Sequence, residues 1–280
     1  MEQSIHVETG AQLLARLMKR PILHGLEKDL FSDGPRPNEV IEVSGNLSSG
    51  KTLLITQLIA KCLLPRRYKG IELNGREAGV VLVNTDHHFH IPTLVDLMAC
   101  FIRNNNDARK LGTTDVFDDK GIKSIIEDSL RYFTVINCYE SSQFFLSLQS
   151  LQGILSNDDK IAMIAIDSIS SYYWQDRKHG ECWSMDGYVK SCLNIMQKHT
   201  FGHKIILLYT RPSDVESKSK EAVVRTSLLN EEKIHYKIQL HKQHDVNQFS
   251  AVVESVSDNR NLSYIVSNNG IEWRTCYSKR

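Results

Sequence analysis

No other stretch of the chain limits the possible folds as strongly as Val40-Ile41-Glu42-Val43-Ser44-Gly45-Asn46-Leu47-Ser48-Ser49-Gly50-Lys51-Thr52. Its second half fits G-x-x-x-x-G-K-[ST], with Gly45, Gly50, Lys51 and Thr52 in the fixed places. The glycines let the backbone turn tightly, so that successive N–H groups converge on one anion. The flanks agree. Val40 to Ser44 is a β-rich run, and Leu53 to Leu64 reads as a helix with Leu54, Leu58 and Cys62 on one face, stopped by Pro65. A helix that starts there adds its N-terminal amides and its dipole. Strand, loop and helix in this order predict a phosphate-binding loop made of Gly45, Asn46, Leu47, Ser48, Ser49, Gly50, Lys51 and Thr52. Lys51 is placed to reach the β- and γ-phosphates, and the Thr52 hydroxyl to ligate Mg²⁺. The expected ligand is a nucleoside triphosphate with Mg²⁺.

The rest of the chain supplies the sheet such a loop needs. Val80 to Asp86, Tyr132 to Cys138, Ile161 to Asp167 and Lys204 to Thr210 read as further strands, separated by helical pieces over Pro92–Ile102, Ile122–Leu130, Ser142–Leu155 and Lys190–Lys198. The near-continuous apolar runs fit strands buried on both faces. The alternation predicts an α/β fold with right-handed crossovers and a mainly parallel sheet. After Pro212, Ile234–Leu240, Phe249–Val256 and Leu262–Val266 alternate with period two and predict antiparallel strands at the sheet edge. Residues 1–38 form a short segment with one amphipathic helix around Ala11–Met18. Residues 39–280 form the core. Whether that helix packs on its own domain or on a partner stays open.

Composition excludes several classes. With a formal net charge of +1, no global field draws the chain to nucleic acid or to an anionic membrane. The six cysteines lie far apart with no C-x-x-C, which argues against a zinc site and for free thiols. No apolar run reaches membrane-spanning length.

Two acids end apolar strands. Asp167 is expected to hold Mg²⁺ through water beside Thr52. Asp86 has two readings, a carboxylate that positions attacking water or a strand-end residue making turn contacts. His87, His88 and His90 lack the further ligands a metal site requires. Tyr172-Tyr173-Trp174 suits core packing or stacking on bases. Arg177 and Lys178, in one polar loop, and Lys218, Lys220 and Arg225, in another, are candidate DNA-binding residues. Neighbouring acids make a solvated mixed-charge loop the competing reading.

Taken together, the phosphate loop, the acid-ended second strand, Asp167-Ser168, the fifth strand and the late hairpins resemble the RecA-type core of eukaryotic recombinases and their paralogues. Gly10-Ala11-Gln12-Leu13-Leu14-Ala15-Arg16-Leu17, Thr85-Asp86-His87-His88-Phe89 and Asp167-Ser168-Ile169-Ser170-Ser171-Tyr172-Tyr173-Trp174-Gln175-Asp176-Arg177 bring the resemblance down to the paralogues. It implies a RecA-like ATPase core and a nuclear protein, with a cytoplasmic pool, that acts in homologous recombination and at stalled forks. The implied partners are other recombinase paralogues, especially the D-type paralogue, the main strand-exchange recombinase indirectly, and single-stranded or branched DNA through the complex. The short segment before Glu39 is too small for the helical N-terminal domain of full recombinases, which implies an end position in a hetero-oligomer. The recombinase's catalytic Glu aligns with Asp86, one methylene shorter, and its γ-phosphate-sensing Gln with Arg211. A carboxylate withdrawn by about 1.5 Å can cost about a hundredfold in rate, so weak hydrolysis is expected. The competing readings are an autonomous DNA-dependent ATPase, a phosphotransferase, and a scaffold with a vestigial loop.

Overall fold

In a computed structural model of the chain, the described residues are 9–11, 14, 20–107, 118–178, 180, 184–200, 202–213, 234–242, 249–256 and 258–275. The expected amphipathic helix lies almost wholly outside them. So do Lys218, Lys220 and Arg225.

The elements run β1 (Val40–Gly45), α1 (Lys51–Leu63), a small hairpin of β2 (Arg67–Tyr68) and β3 (Ile71–Glu72), β4 (Gly79–Asn84), α2 (Ile91–Asp107), α3 (Asp119–Leu130), β5 (Phe133–Asn137), α4 (Ser141–Asn157), β6 (Ile161–Asp167), α5 (Tyr173–Lys178), α6 (Met185–Thr200), β7 (Ile206–Pro212), β8 (Tyr236–Lys242), β9 (Phe249–Ser255), β10 (Asn259–Ser267) and β11 (Gly270–Thr275). One nine-stranded sheet has the order β11-β10-β9-β8-β1-β7-β6-β4-β5. From β8 through β5 every neighbouring pair is parallel; from β8 to β11 every pair is antiparallel. The α/β class, the parallel core and the C-terminal antiparallel strands are as expected from the sequence.

One strand departs from expectation. β8 is antiparallel to β9 but parallel to β1, so it extends the parallel core before the chain turns back. A parallel neighbour needs a long return path, and residues 214–233 between β7 and β8 are long enough to provide one.

Strand alternation sends side chains into two cores, one on each face of the sheet. Ile41, Val43, Val80 and Leu82 pack with α1, α2 and α3, whereas Val40, Val81, Val83 and Tyr209 pack with α4 and α6. The helices therefore cover both faces of the parallel part, which is why its strands read as unbroken apolar runs. Phe31, fully buried, packs edge-on against Tyr236 with ring centroids 4.9 Å apart and ties the entry segment to β8. Arg20 closes the C-terminal end of α4, donating to the carbonyls of Leu155, Asp158 and Ile161.

Candidate nucleotide site

β1 lies inside the sheet between β7 and β8, and its last residue delivers the loop to the carboxyl edge of the strands. The loop turns through Ser48 (φ 58) and Gly50 (φ 92), and α1 starts at Lys51. Gly45 is glycine because there is no room for more. A Cβ there would lie 2.5 Å from Ser49 Oγ and 2.6 Å from the Leu240 carbonyl. The Asn46 side-chain oxygen accepts from Ser213 Oγ (2.5 Å), which ties the loop to the end of β7.

The loop forms one wall of a cavity of about 710 Å³. Its lining contains all eight loop residues expected from the sequence, together with Asp86, His88, Asp167, Ser168, Pro212 and Ser213. Lys51 and Thr52 thus meet both strand-end acids in one concavity, because β4, β6 and β1 end at the same edge.

Lys51 Nζ donates to the carbonyls of Gly45 (2.9 Å) and Asn46 (3.0 Å), at the root of its own loop. Burial holds its pKa below the usual lysine value, against the raising pull of Asp167 and Asp86. Asp167 is 2% exposed. Burial raises its pKa; the hydroxyls of Thr210 and Thr52 oppose this, Asp86 adds to it, and Lys51 opposes it. One carboxylate oxygen, Oδ1, accepts from Thr210 Oγ1 (2.5 Å), while Oδ2 is buried with no hydrogen-bond partner. Ser49 Oγ is likewise buried without a partner. An orphaned carboxylate oxygen beside a threonine hydroxyl, at the foot of a phosphate loop, is a donor set that suits Mg²⁺. Thr52 and Asp167 would hold the ion, which would neutralise charge building on the phosphates.

Asp86 is exposed and accepts from Ser171 Oγ, which also contacts Thr85 Oγ1 at 2.8 Å. It makes the local contacts of one reading and lines the cavity as the other requires. His87 is left-handed (φ 55) rather than extended; its Nε2 meets the Cys138 carbonyl at 3.0 Å and its ring stacks on Tyr139. His88 alone of the three histidines lines the cavity. Tyr172 and Tyr173 are buried, and Trp174 is exposed with the Arg177 guanidinium 5.4 Å from its ring centre. Arg177 and Lys178 sit exposed on α5 and do not line the cavity.

Arg211 does not take the place of a γ-phosphate sensor. Counting along β7 from Leu208 on the α1 face and Tyr209 on the α6 face, residue 210 faces α1 and residue 211 faces away. The Arg211 guanidinium lies 2.9 Å from Asp186 and 3.7 Å from Glu42, which also accepts from Tyr209 Oη (2.6 Å). Thr210, at the adjacent position, is the residue that reaches the site. The sequence reasoning missed Thr210, Ser171, Ser213 and Tyr264, whose hydroxyl donates to the Ser49 carbonyl (2.6 Å). A polar residue ending an apolar strand was a usable signal for Thr210; the others carried none.

No family model matches the chain. The mouse DNA repair protein XRCC2 is 29% identical over 220 residues, an alignment that covers 77% of this chain and 71% of the mouse protein. The chain is similar to XRCC2 over most of its length. The Arabidopsis thaliana protein described as a DNA repair protein XRCC2 homolog is 23% identical over 243 residues, covering 75% of this chain and 64% of that protein. The resemblance to RecA-type recombinase paralogues is thereby borne out, and the sheet order and buried strands carry the RecA-like fold that goes with it.

Proposed function

We propose that this chain is a DNA-repair subunit that binds Mg·ATP at the loop between β1 and α1 and works in homologous recombination within a complex of recombinase paralogues. The observation that carries the reading is the single cavity in which the loop, Lys51, Thr52, Asp86 and Asp167 meet. The similarity to two proteins named for DNA repair supports the biological setting, and with it a role in the nucleus. Double-strand breaks and stalled forks are the proposed substrates of the pathway. DNA is met through the complex, and the D-type paralogue is the proposed neighbour.

Each residue has a defined task. Lys51 leaves the carbonyls of Gly45 and Asn46 for the β- and γ-phosphates, which offer its buried ammonium stronger acceptors. The amides of residues 50–52 hold the phosphate chain at the start of α1. Thr210 fixes Asp167 by one oxygen and leaves the other toward the ion. Asp86, short and held by Ser171, positions water poorly, so turnover is slow and nucleotide acts chiefly as a ligand that adds its binding free energy to assembly.

The test is a Mg·ATP titration of the purified chain, alone and with the D-type paralogue, against Lys51→Ala, followed by recovery of partners from nuclear extract. Saturable binding lost in the variant, with other paralogues recovered, is the expected result. A wild-type chain that never binds ATP, even with the partner, removes the nucleotide half of the proposal. A well-folded bait that recovers no paralogue removes the other half.

A further inference from the structure

We infer that the C-terminal hairpin β10–β11 is a positioning device for the phosphate loop, with Tyr264 and Gln57 as the residues that make it one. The inference rests on the nucleotide-binding reading above for its functional consequence, though not for its structural content.

Tyr264 is 2% exposed, and its ring lies between Phe249 (5.2 Å) and Trp273 (5.3 Å). Its hydroxyl donates to the Ser49 carbonyl at 2.6 Å, a buried contact across 215 residues of chain. In a trans peptide the C=O and the following N–H point in opposite directions. Holding the Ser49 oxygen on the hairpin side therefore aims the Gly50 N–H to the other side, where Lys51, Thr52 and the cavity lie. Tyr264 sets the direction of an amide that the phosphate chain needs, without touching the phosphate.

Gln57 fixes the other half of the arrangement. From the second turn of α1 its side-chain amide pairs with the backbone of Ile271 like a short piece of strand. Oε1 accepts from Ile271 N (2.7 Å) and Nε2 donates to Ile271 O (3.1 Å). Nε2 also donates to Glu27 Oε2 (3.1 Å), and that carboxylate is held by Lys61 (2.7 Å). Gly270 allows this approach, since a Cβ there would stand 2.5 Å from Gln57 Oε1. A Cβ added at Gly50 would stand 3.6 Å from Ile271 and 3.8 Å from Val266, so the hairpin backs this turn of the loop. Loop, helix start and hairpin are thus joined by two independent sets of buried hydrogen bonds. By linkage, whatever orders the hairpin tightens nucleotide binding, and nucleotide orders the hairpin to the same extent.

The experiment compares the full chain with Tyr264→Phe, which keeps the ring and loses only the donor. Ser263→Ala, on the exposed side of the same strand, controls for hairpin substitution. Ile125→Val, a buried methyl deletion in α3, controls for general destabilisation. Hydrogen exchange of the amides of residues 49–52 is measured on the nucleotide-free proteins, and affinity is measured with a fluorescent ATP analogue plus Mg²⁺. Tyr264→Phe is expected to raise exchange at residues 49–52 above both controls and to weaken nucleotide binding about fivefold, the worth of one hydrogen bond. Exchange and affinity that match the controls overturn the inference. If the wild-type chain binds no nucleotide, the nucleotide half of the proposed function fails, and exchange in the nucleotide-free proteins still decides whether Tyr264 orients the loop.

Discussion

Asp167 is buried with one carboxylate oxygen unpartnered, and an isosteric change tests whether that oxygen is kept for an ion. Asp167→Asn keeps the acceptor for Thr210 and removes the charge. In the wild type the carboxylate is 2% exposed and one of its oxygens is orphaned. An unpartnered buried group costs about 1–3 kcal/mol, and more when charged; Asn keeps a polar atom in the place of Oδ2 but sheds the charge, and a relief of about 1–3 kcal/mol at 2–4 °C per kcal/mol corresponds to a melting temperature roughly 2–12 °C higher for the variant. The sign with pH follows from the raised pKa. Below the ordinary aspartate value both folded and unfolded states are protonated and the penalty is absent; as pH rises through the raised value, the folded state must ionise and stability is lost. Urea unfolding without Mg²⁺ or nucleotide, at about pH 8 and about pH 5, should show Asn ahead of Asp by a margin that narrows in acid. With Mg·ATP at a hundred times its Kd, the wild type should gain about 2.7 kcal/mol and the variant much less, which reverses the order. A variant no more stable than wild type at the higher pH, or a margin that widens in acid, refutes the reasoning.

Other substitutions test other parts of the molecule. Gly45→Ala drives a methyl against Ser49 Oγ and the Leu240 carbonyl, and should cost about 1–3 kcal/mol in urea unfolding as well as nucleotide affinity in the same titration. Phe31→Ala empties a fully buried site packed on Tyr236, and should lower unfolding free energy by about 3–5 kcal/mol with little change in nucleotide affinity per folded molecule. Asp86→Glu restores the missing methylene and should raise single-turnover hydrolysis, by up to about a hundredfold; no increase would mean that the length of this side chain is not what limits the rate.

The parts of this fold that could be read from the sequence are those written locally. The strand, loop and helix around Gly45–Thr52 occupy consecutive residues, and Asp86 and Asp167 end runs whose apolar character marks doubly covered strands, so all three meet where expected. The direction of β8 is set by its parallel pairing with β1 in the assembled sheet, which no period-two pattern encodes. Thr210, Ser171 and Tyr264 act through partners 43, 85 and 215 residues away, and a side chain's partner at that separation is set by the assembled sheet. Arg211 was legible in principle. Alignment assigned it a sensor's place, but the parity of β7 turns it to the opposite face, into a pair with Glu42 and Asp186.

Those two contacts also limit what a substitution at position 211 can do. Glutamine at position 211 would not by itself make a sensor, because its amide would point to the α6 side of the sheet and leave two carboxylates, one of them buried, short of their cation. The geometry therefore makes position 211 part of the framework on the α6 side, where a change of side chain alone does not bring a new group to the phosphate loop.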